Sequence, residues 1–385
     1  MKLKWNNMNQ NNDKRILFTG GGTGGHFFPI LSIKQGIEAI YREKNMALPR
    51  FLLIGSGKGF KKIAQENSDI KYKSVLSGKI RRYLTFKSIF QNLFDFFKMP
   101  LGVLQALWQV WIFMPNAVFG KGGFASVPIV FTAWVYRIPI IIHESDSIPG
   151  LANRFLAKLA NKIAISYSQA EKYFPDKKTI LTGNPVRTEL VQGSKQEAVK
   201  IFNLDPDKQT ILVLGGSQGA RSINDIIIQI LPELNNYNII HQYGDQNQDQ
   251  IKTLQDLQSL NNYHPIAFLK QELKHAFAVA DLIVSRTGAN ALAEISALGK
   301  PSILIPLPTS SFDHQMENAL IFARNEAGIV LEQENLRPNI LLEKIKKILG
   351  SPERARIMGK HARELAIPNA GKRIGEEILK LAGVL

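Results

Sequence analysis

Residues 15–29 read RILFTGGGTGGHFFP: a short apolar stretch, five glycines around one threonine, then a histidine. Arg15–Thr19 has the length and composition of a buried strand. Beyond Phe27, the residues Ile30, Ile33, Ile37 and Ile40 recur at helical spacing as far as about Arg42. The glycines therefore fall on a strand-to-helix turn, where backbone N–H groups and the positive end of a helix dipole suit an anion. Dinucleotide enzymes, phosphate binders and plain α/β domains all use such a turn. A dinucleotide site also wants an acidic residue closing the second strand to meet a ribose. Here Phe51–Ile54 runs into Gly55, Ser56, Gly57 and Lys58 instead.

The pattern occurs twice. From Thr210 the chain reads TILVLGGSQGARSINDIIIQIL, again an apolar strand, a glycine-rich loop (Gly215, Gly216, Ser217, Gln218, Gly219) and an apolar-periodic helix. Ala117–Phe119, Ile138–Ile142, Lys162–Ser166, Leu282–Ser285 and Ser302–Ile305 read as further strands, alternating with helical segments. That alternation predicts an α/β protein of two Rossmann-like, doubly wound parallel-sheet domains facing a cleft, with ligands at the carboxyl ends of the strands. A length of 385 residues agrees with two cores better than one. The boundary is expected near GNPVR (Gly183–Arg187). The N-terminal domain then takes residues 14–186 plus 369–385, with Gly371–Leu381 returning to it, and the C-terminal domain takes 187–368. Residues 1–13 read as a disordered polar tail without the apolar core of a signal peptide.

Hydrophobic residues at 45% and charged residues at 21% describe a globular chain, not a disordered one. The absence of cysteine excludes a disulfide framework and a thiolate metal site, and points to a reducing compartment. The net charge of +16 calls for an anionic partner: nucleic acid, a membrane surface or a phosphorylated substrate. Between Lys58 and Lys98 there are ten Lys or Arg against three acids, interleaved with Tyr83, Leu84, Phe86, Ile89, Phe90, Leu93, Phe94, Phe96 and Phe97. Met99–Gly120 then carries no charge, but Pro100, Gly102, Gln105, Gln109, Pro115 and Asn116 interrupt it. A basic, aromatic-rich element on an anionic membrane surface fits this better than a membrane span. The competing reading is a buried helix beside a solvated charged loop. A nucleic-acid groove needs base-stacking aromatics, whereas these cluster with aliphatic residues.

Seven strings occur in order: GGTGGHFFP, GKGGFASVP, IHESDSIPGLANR, GNPVR, GGSQGA, SRTGANALAEISALGKPSILIPLP and DHQMENA. Together they resemble the MurG family, the N-acetylglucosaminyltransferases of peptidoglycan synthesis, from about residue 14 to the C-terminus. The resemblance implies a GT-B glycosyltransferase that moves GlcNAc from UDP-GlcNAc to lipid I with inversion, giving lipid II. It implies no cofactor and no metal. The setting would be peripheral, on the cytoplasmic face of the bacterial inner membrane, in contact with anionic lipid and other cell-wall synthesis proteins and not with nucleic acid. Rival readings are a diacylglycerol glycosyltransferase, a sugar-nucleotide epimerase and, from another class, a nicotinamide-dependent dehydrogenase.

Site residues follow from the same resemblance. His26 is the expected base, having a suitable pKa for a proton leaving the attacking hydroxyl. Thr23, Gly24 and Gly25 are expected to hold the acceptor's diphosphate or to reach the donor's. Ser217 and its loop face the donor diphosphate, and Arg187 offers phosphate oxygens a fork of donors. Ala289, Asn290, Ala291, Leu292, Ala293 and Glu294 form the UDP-GlcNAc run, with Glu294 accepting from the ribose hydroxyls. Gln315 suits the sugar hydroxyls, and the backbone of Leu269 suits uracil. One position departs from the family: HEQN is usual where this chain has His143, Glu144, Ser145 and Asp146. The last amide normally contacts the donor sugar, whereas an ionised Asp146 only accepts and adds negative charge near two phosphates.

Overall fold

The computed structural model describes residues 14–21, 24–78, 86–216, 219–245, 247, 261–308 and 313–385, without the side chains of 58, 67, 86–94, 96 and 97. The polar tail, Thr23, Ser217 and Gln218 thus lie outside the described residues, as do Tyr83 and Leu84 of the basic, aromatic-rich element with the neighbouring Arg81 and Arg82, and the side chains of Phe86, Lys87, Ile89, Phe90, Leu93, Phe94, Phe96 and Phe97. The chain forms two compact units, one up to Pro185 plus Asn369–Leu385 and the other Val186–Pro368.

In the first unit β1 (Arg15–Gly21), β2 (Arg50–Ser56), β3 (Lys71–Ser74), β4 (Ala117–Gly120), β5 (Ile140–Glu144), β6 (Lys162–Ile165) and β7 (Thr179–Leu181) make one sheet. Its order is β3-β2-β1-β4-β5-β6-β7, with every pairing parallel. Ile16, Leu17 and Phe18 are all fully buried, because a central parallel strand is covered on both faces. Successive side chains divide between the two layers. Ile16 and Phe18 join Phe27, Ile30, Ile33 and Ile37 of the helix Gly24–Glu43, while Leu17 joins Leu52, Ile54, Val118 and Ile129.

The C-terminal helix Ala370–Leu381 packs on the helix Gly24–Glu43, with Ile374 and Ile378 in the same core. Glycine sets that contact: a Cβ on Gly36 would lie 2.8 Å from the backbone of Lys372. The strand expected at Ile138–Ile142 runs from Ile140 to Glu144 instead. Ile138 is used to close the preceding helix, donating its N–H to Ala133 O at 2.9 Å with Arg137 in the left-handed region.

In the second unit β8 (Thr210–Leu214), β9 (Asn238–Gln242), β10 (Tyr263–Ile266), β11 (Leu282–Ser285), β12 (Ser302–Leu304) and β13 (Ile329–Val330) form a parallel sheet of order β10-β9-β8-β11-β12-β13. Each sheet therefore reverses direction beside its first strand, between β1 and β4 in one and between β8 and β11 in the other. Ligands of doubly wound folds sit outside the carboxyl ends of the strands at such switch points.

Candidate functional site

At the first switch point β1 ends on Gly20 and Gly21, and the helix begins at Gly24. Gly24 and Gly25 thus occupy its first turn, where backbone N–H groups have no intrahelical acceptor. His26 follows, and its Nδ1 bonds the carbonyl of Gly21. A carbonyl only accepts, so Nδ1 carries the proton and Nε2 keeps the lone pair. Burial holds the His26 pKa below its ordinary value, Lys121 pushes the same way, and the Gly21 bond and Asp146 oppose. The ring is therefore neutral at neutral pH, in the tautomer a base requires. Gly123, with φ of 76°, passes close by: a Cβ there would be 3.1 Å from His26 Cε1.

Lys121, one residue beyond β4, was not anticipated as a site residue. Its N–H donates to Thr19 O at 2.9 Å, fixing it against the end of β1. Its side chain is buried, and Nζ lies 2.8 Å from His143 Nδ1 and 2.6 Å from Ser145 Oγ. His143 Nε2 is 3.1 Å from Gly183 O, so its proton sits on Nε2 and Nδ1 accepts from the lysine. Burial, then the lysine charge, drives the His143 pKa well down. Glu144 accepts from Asp146 N at 3.0 Å, Gly150 N at 3.3 Å and Asn153 Nδ2 at 2.9 Å, which shapes the turn after β5. Burial and then Asp146 push its pKa up to about 7. Asp146 acts electrostatically on His26, Lys121, Glu144 and Tyr167 alike. The departure from HEQN therefore stands within reach of the expected base.

At the second switch point the helix Ala289–Leu298 starts behind Gly288 without a side-chain cap, directing its first-turn N–H groups to the strand ends. Leu292 turns into the core, so within the run Ala289–Glu294 it serves packing. Arg187 and Glu294, expected to act separately on phosphate and ribose, are joined. Arg187 Nε and Nη2 donate to the same oxygen, Glu294 Oε1, at 3.1 and 2.8 Å, and each side chain is 12% exposed. Gln315 accepts from Leu307 N at 3.1 Å through Oε1, and its own carbonyl takes Thr287 Oγ1–H at 2.7 Å. These bonds bring Gln315 to the start of the same helix.

Two further residues here escaped sequence reasoning. Arg286 follows β11 as Lys121 follows β4, its N–H donating to Leu214 O at 3.3 Å. Its guanidinium donates to Ile305 O, Pro306 O, Ser222 Oγ and Gln333 Oε1, all neutral, and burial lowers its pKa to about 10. Gln242, at the end of β9, accepts from Leu269 N at 3.0 Å and donates to Gly216 O at 3.2 Å. It thereby ties the expected uracil position to the glycine-rich loop. The signal for all three lay in topology, each being the last residue of a strand or the first beyond one. Among the described residues, no group of three or more His, Asp or Glu could hold a metal ion.

Within the uncharged stretch Met99–Gly120, the chain up to Phe113 completes a 28-residue helix, Phe86–Phe113, and Ala117–Gly120 is β4. Gly102, Ala106 and Val110 are buried, whereas Leu101, Leu104, Trp108, Trp111 and Ile112 form an exposed stripe, with Trp108 63% exposed. Trp108 and Trp111 stack at 5.8 Å. The neighbouring helix Val127–Val135 adds exposed Trp134 and Val135. No helix among the described residues is long and apolar enough to cross a membrane.

Residues 16–165 match the glycosyltransferase family 28 N-terminal domain, and residues 210–374 match the family 28 C-terminal domain. A Bacillus thuringiensis protein named UDP-N-acetylglucosamine--N-acetylmuramyl-(pentapeptide) pyrophosphoryl-undecaprenol N-acetylglucosamine transferase 3 is 37% identical over 337 residues, 87% of this chain and 91% of that protein. The Bacillus pumilus transferase of the same name, without the number, is 34% identical over 94% of this chain and 97% of its own length. In fold, the chain is similar to the crystal structure of Acinetobacter baumannii MurG, with TM-score 0.71, 24% identity, and coverage of 95% of this chain and 99% of that one. A Neisseria meningitidis UDP-GlcNAc 2-epimerase is similar in fold at TM-score 0.67 and 15% identity, over 95% of this chain and 100% of its own. With both domain matches in place and the relatives alike along most of their length, the chain belongs to glycosyltransferase family 28, among the MurG N-acetylglucosamine transferases.

Proposed function

We propose that this protein transfers N-acetylglucosamine from UDP-GlcNAc to the muramyl sugar of lipid I, with inversion, to give lipid II. The observation that carries the chemistry is the His26–Gly21 bond, which fixes a neutral imidazole with its lone pair on Nε2. In the reaction, the attacking hydroxyl oxygen bonds to the anomeric carbon of GlcNAc and the bond from that carbon to the β-phosphate oxygen breaks. His26 Nε2 takes the hydroxyl proton, and UDP departs with the electron pair. Thr23, Gly24 and Gly25 take a substrate diphosphate at the helix start. In the second unit, Ser217, Arg187 and the N-terminus of the helix Ala289–Leu298 answer the donor diphosphate. Glu294 takes the ribose hydroxyls, Gln315 the sugar and the Leu269 backbone the uracil.

The acceptor's polyprenyl chain keeps it in the bilayer, so the first unit must work at a lipid surface. The stripe Leu101, Leu104, Trp108, Trp111 and Ile112, with Trp134 and Val135, supports such docking, and the net charge of +16 favours an anionic leaflet. We place the protein peripherally on the cytoplasmic face of the membrane.

Purified protein given UDP-GlcNAc and a short-chain lipid I analogue should release UDP and form a β-linked disaccharide. With UDP-GlcNAc alone it should form no 2-epimer. Epimer formation without acceptor, or transfer to diacylglycerol in place of the lipid I analogue, would refute the assignment.

A further inference from the structure

We propose that Lys121 is the countercharge that lets this chain carry Asp146, so that the two residues together set the charge presented to the substrates. The inference rests on the transferase reading above and adds to it a positioning residue on which donor affinity depends.

Lys121 is only 1% exposed, and a buried ammonium without compensation costs several kcal/mol. Its two hydrogen-bond partners, His143 and Ser145, are neutral in this arrangement. Nζ is anchored on Ser145, the residue between Glu144 and Asp146, and Asp146 N is tied back to Glu144 Oε1, so the lysine is bonded into the turn that carries both carboxylates, and both favour its charged form. Even so, burial lowers the Lys121 pKa to about 8. Glu144 is engaged by Asp146 N, Gly150 N and Asn153 Nδ2, so its carboxylate is held in the turn after β5.

Formal charges then separate four cases. Glu144 is common to all four and drops out of the comparison. Removing the lysine shifts the cluster by one unit toward negative, beside a site for diphosphates. Replacing Asp146 by Asn shifts it by one unit toward positive. Making both changes leaves the formal charge of the parent. On this count the lysine matters because the aspartate is there.

The experiment is a double-mutant cycle of Lys121→Met and Asp146→Asn, read on KM for UDP-GlcNAc, kcat and Tm. Lys121→Met in the Asp146 background should raise KM at least about tenfold, with a smaller change in kcat, the loss expected when a close pair of charges is uncovered. Asp146→Asn alone should keep KM within about threefold of the parent or lower it, and the double variant should return KM to within about threefold. The same rescue should appear in Tm, which depends on the pair and not on the reaction. Failure of the parent protein to transfer GlcNAc would refute the functional reading while leaving the Tm cycle to judge the pair. Should the single Lys121→Met protein not fold, a folded and active double variant supports the pairing. An equal effect of Lys121→Met in both backgrounds, or a double variant that also fails to fold, overturns it.

Discussion

The ion pair between Arg187 and Glu294 makes the donor site testable in parts. Both guanidinium bonds reach Oε1, at 3.1 and 2.8 Å, so one carboxylate oxygen holds the arginine, and in the proposed reading the second takes the ribose hydroxyls. Removing the carboxylate by Glu294→Ala has two opposing effects on UDP-GlcNAc. It deletes the charge-assisted hydrogen bonding to the ribose hydroxyls, worth about 1.5–3 kcal/mol in all, and it removes an anion from near the diphosphate, which favours binding. The second effect is the smaller, because Arg187 already neutralises that carboxylate. We expect affinity for UDP-GlcNAc to fall by about 1.5–3 kcal/mol, or about 10–150-fold. Uridine, with no phosphate to gain from the lost anion, should lose at least as much. Arg187→Met should weaken UDP and leave uridine nearly unchanged. Calorimetry with UDP-GlcNAc, UDP and uridine separates the two roles, and Tm measured alongside reports the broken ion pair. If Glu294→Ala lowers Tm yet leaves uridine affinity intact, the carboxylate only anchors Arg187 and its ribose role is wrong.

Four further outcomes follow from the structure. His26→Ala should lower kcat by about 10²–10⁴-fold with donor affinity unchanged; a loss under about tenfold would remove His26 as the base. Because burial and Lys121 depress the His26 pKa against the pull of Gly21 and Asp146, the neutral base persists below pH 6.5. The acid limb of the kcat profile should therefore lie below that value, and a limb above it would contradict the assigned environment. Gly36→Ala sets a Cβ 2.8 Å from the Lys372 backbone and should cost about 1–3 kcal/mol in thermal or denaturant unfolding, whereas an unchanged midpoint would mean the helices separate freely. Trp108→Ser with Trp111→Ser should weaken binding to anionic vesicles and leave Tm and turnover of a soluble short-chain acceptor unaltered, since both rings are exposed; undiminished vesicle binding would place the membrane contact elsewhere.

Legibility in this sequence tracks the range of the interaction that fixes each feature. The strands were readable because a parallel strand covered on both faces must be a short apolar run, as in Ile16–Phe18 and Ile211–Val213. The strand-to-helix turns ahead of Gly24 and Ala289 were readable because turn geometry and helix N-termini act over a few neighbours, and the family motif singled out Glu294 and Arg187. What stayed hidden was pairing across the sheet. Nothing local joins Arg187 to Glu294, 107 positions away, or Lys121 to His143, 22 positions away. The helix Phe86–Phe113 shows the opposite limit: its sequence is apolar on nearly every side, so periodicity alone could not say which face is buried. Gly102, Ala106 and Val110 face inward because small side chains admit close packing, here against the chain at Leu76, whose carbonyl oxygen would stand 2.0 Å from a Cβ on Gly102. The bulky tryptophans are thereby left outside. Asp146 joins the two limits, since it is visible as a departure from a motif but interpretable only once Lys121 is seen bonded to Ser145, the residue before it. A substitution that looks unfavourable in a string of residues is thus best judged by the charges that the fold, and not the sequence, places within its reach.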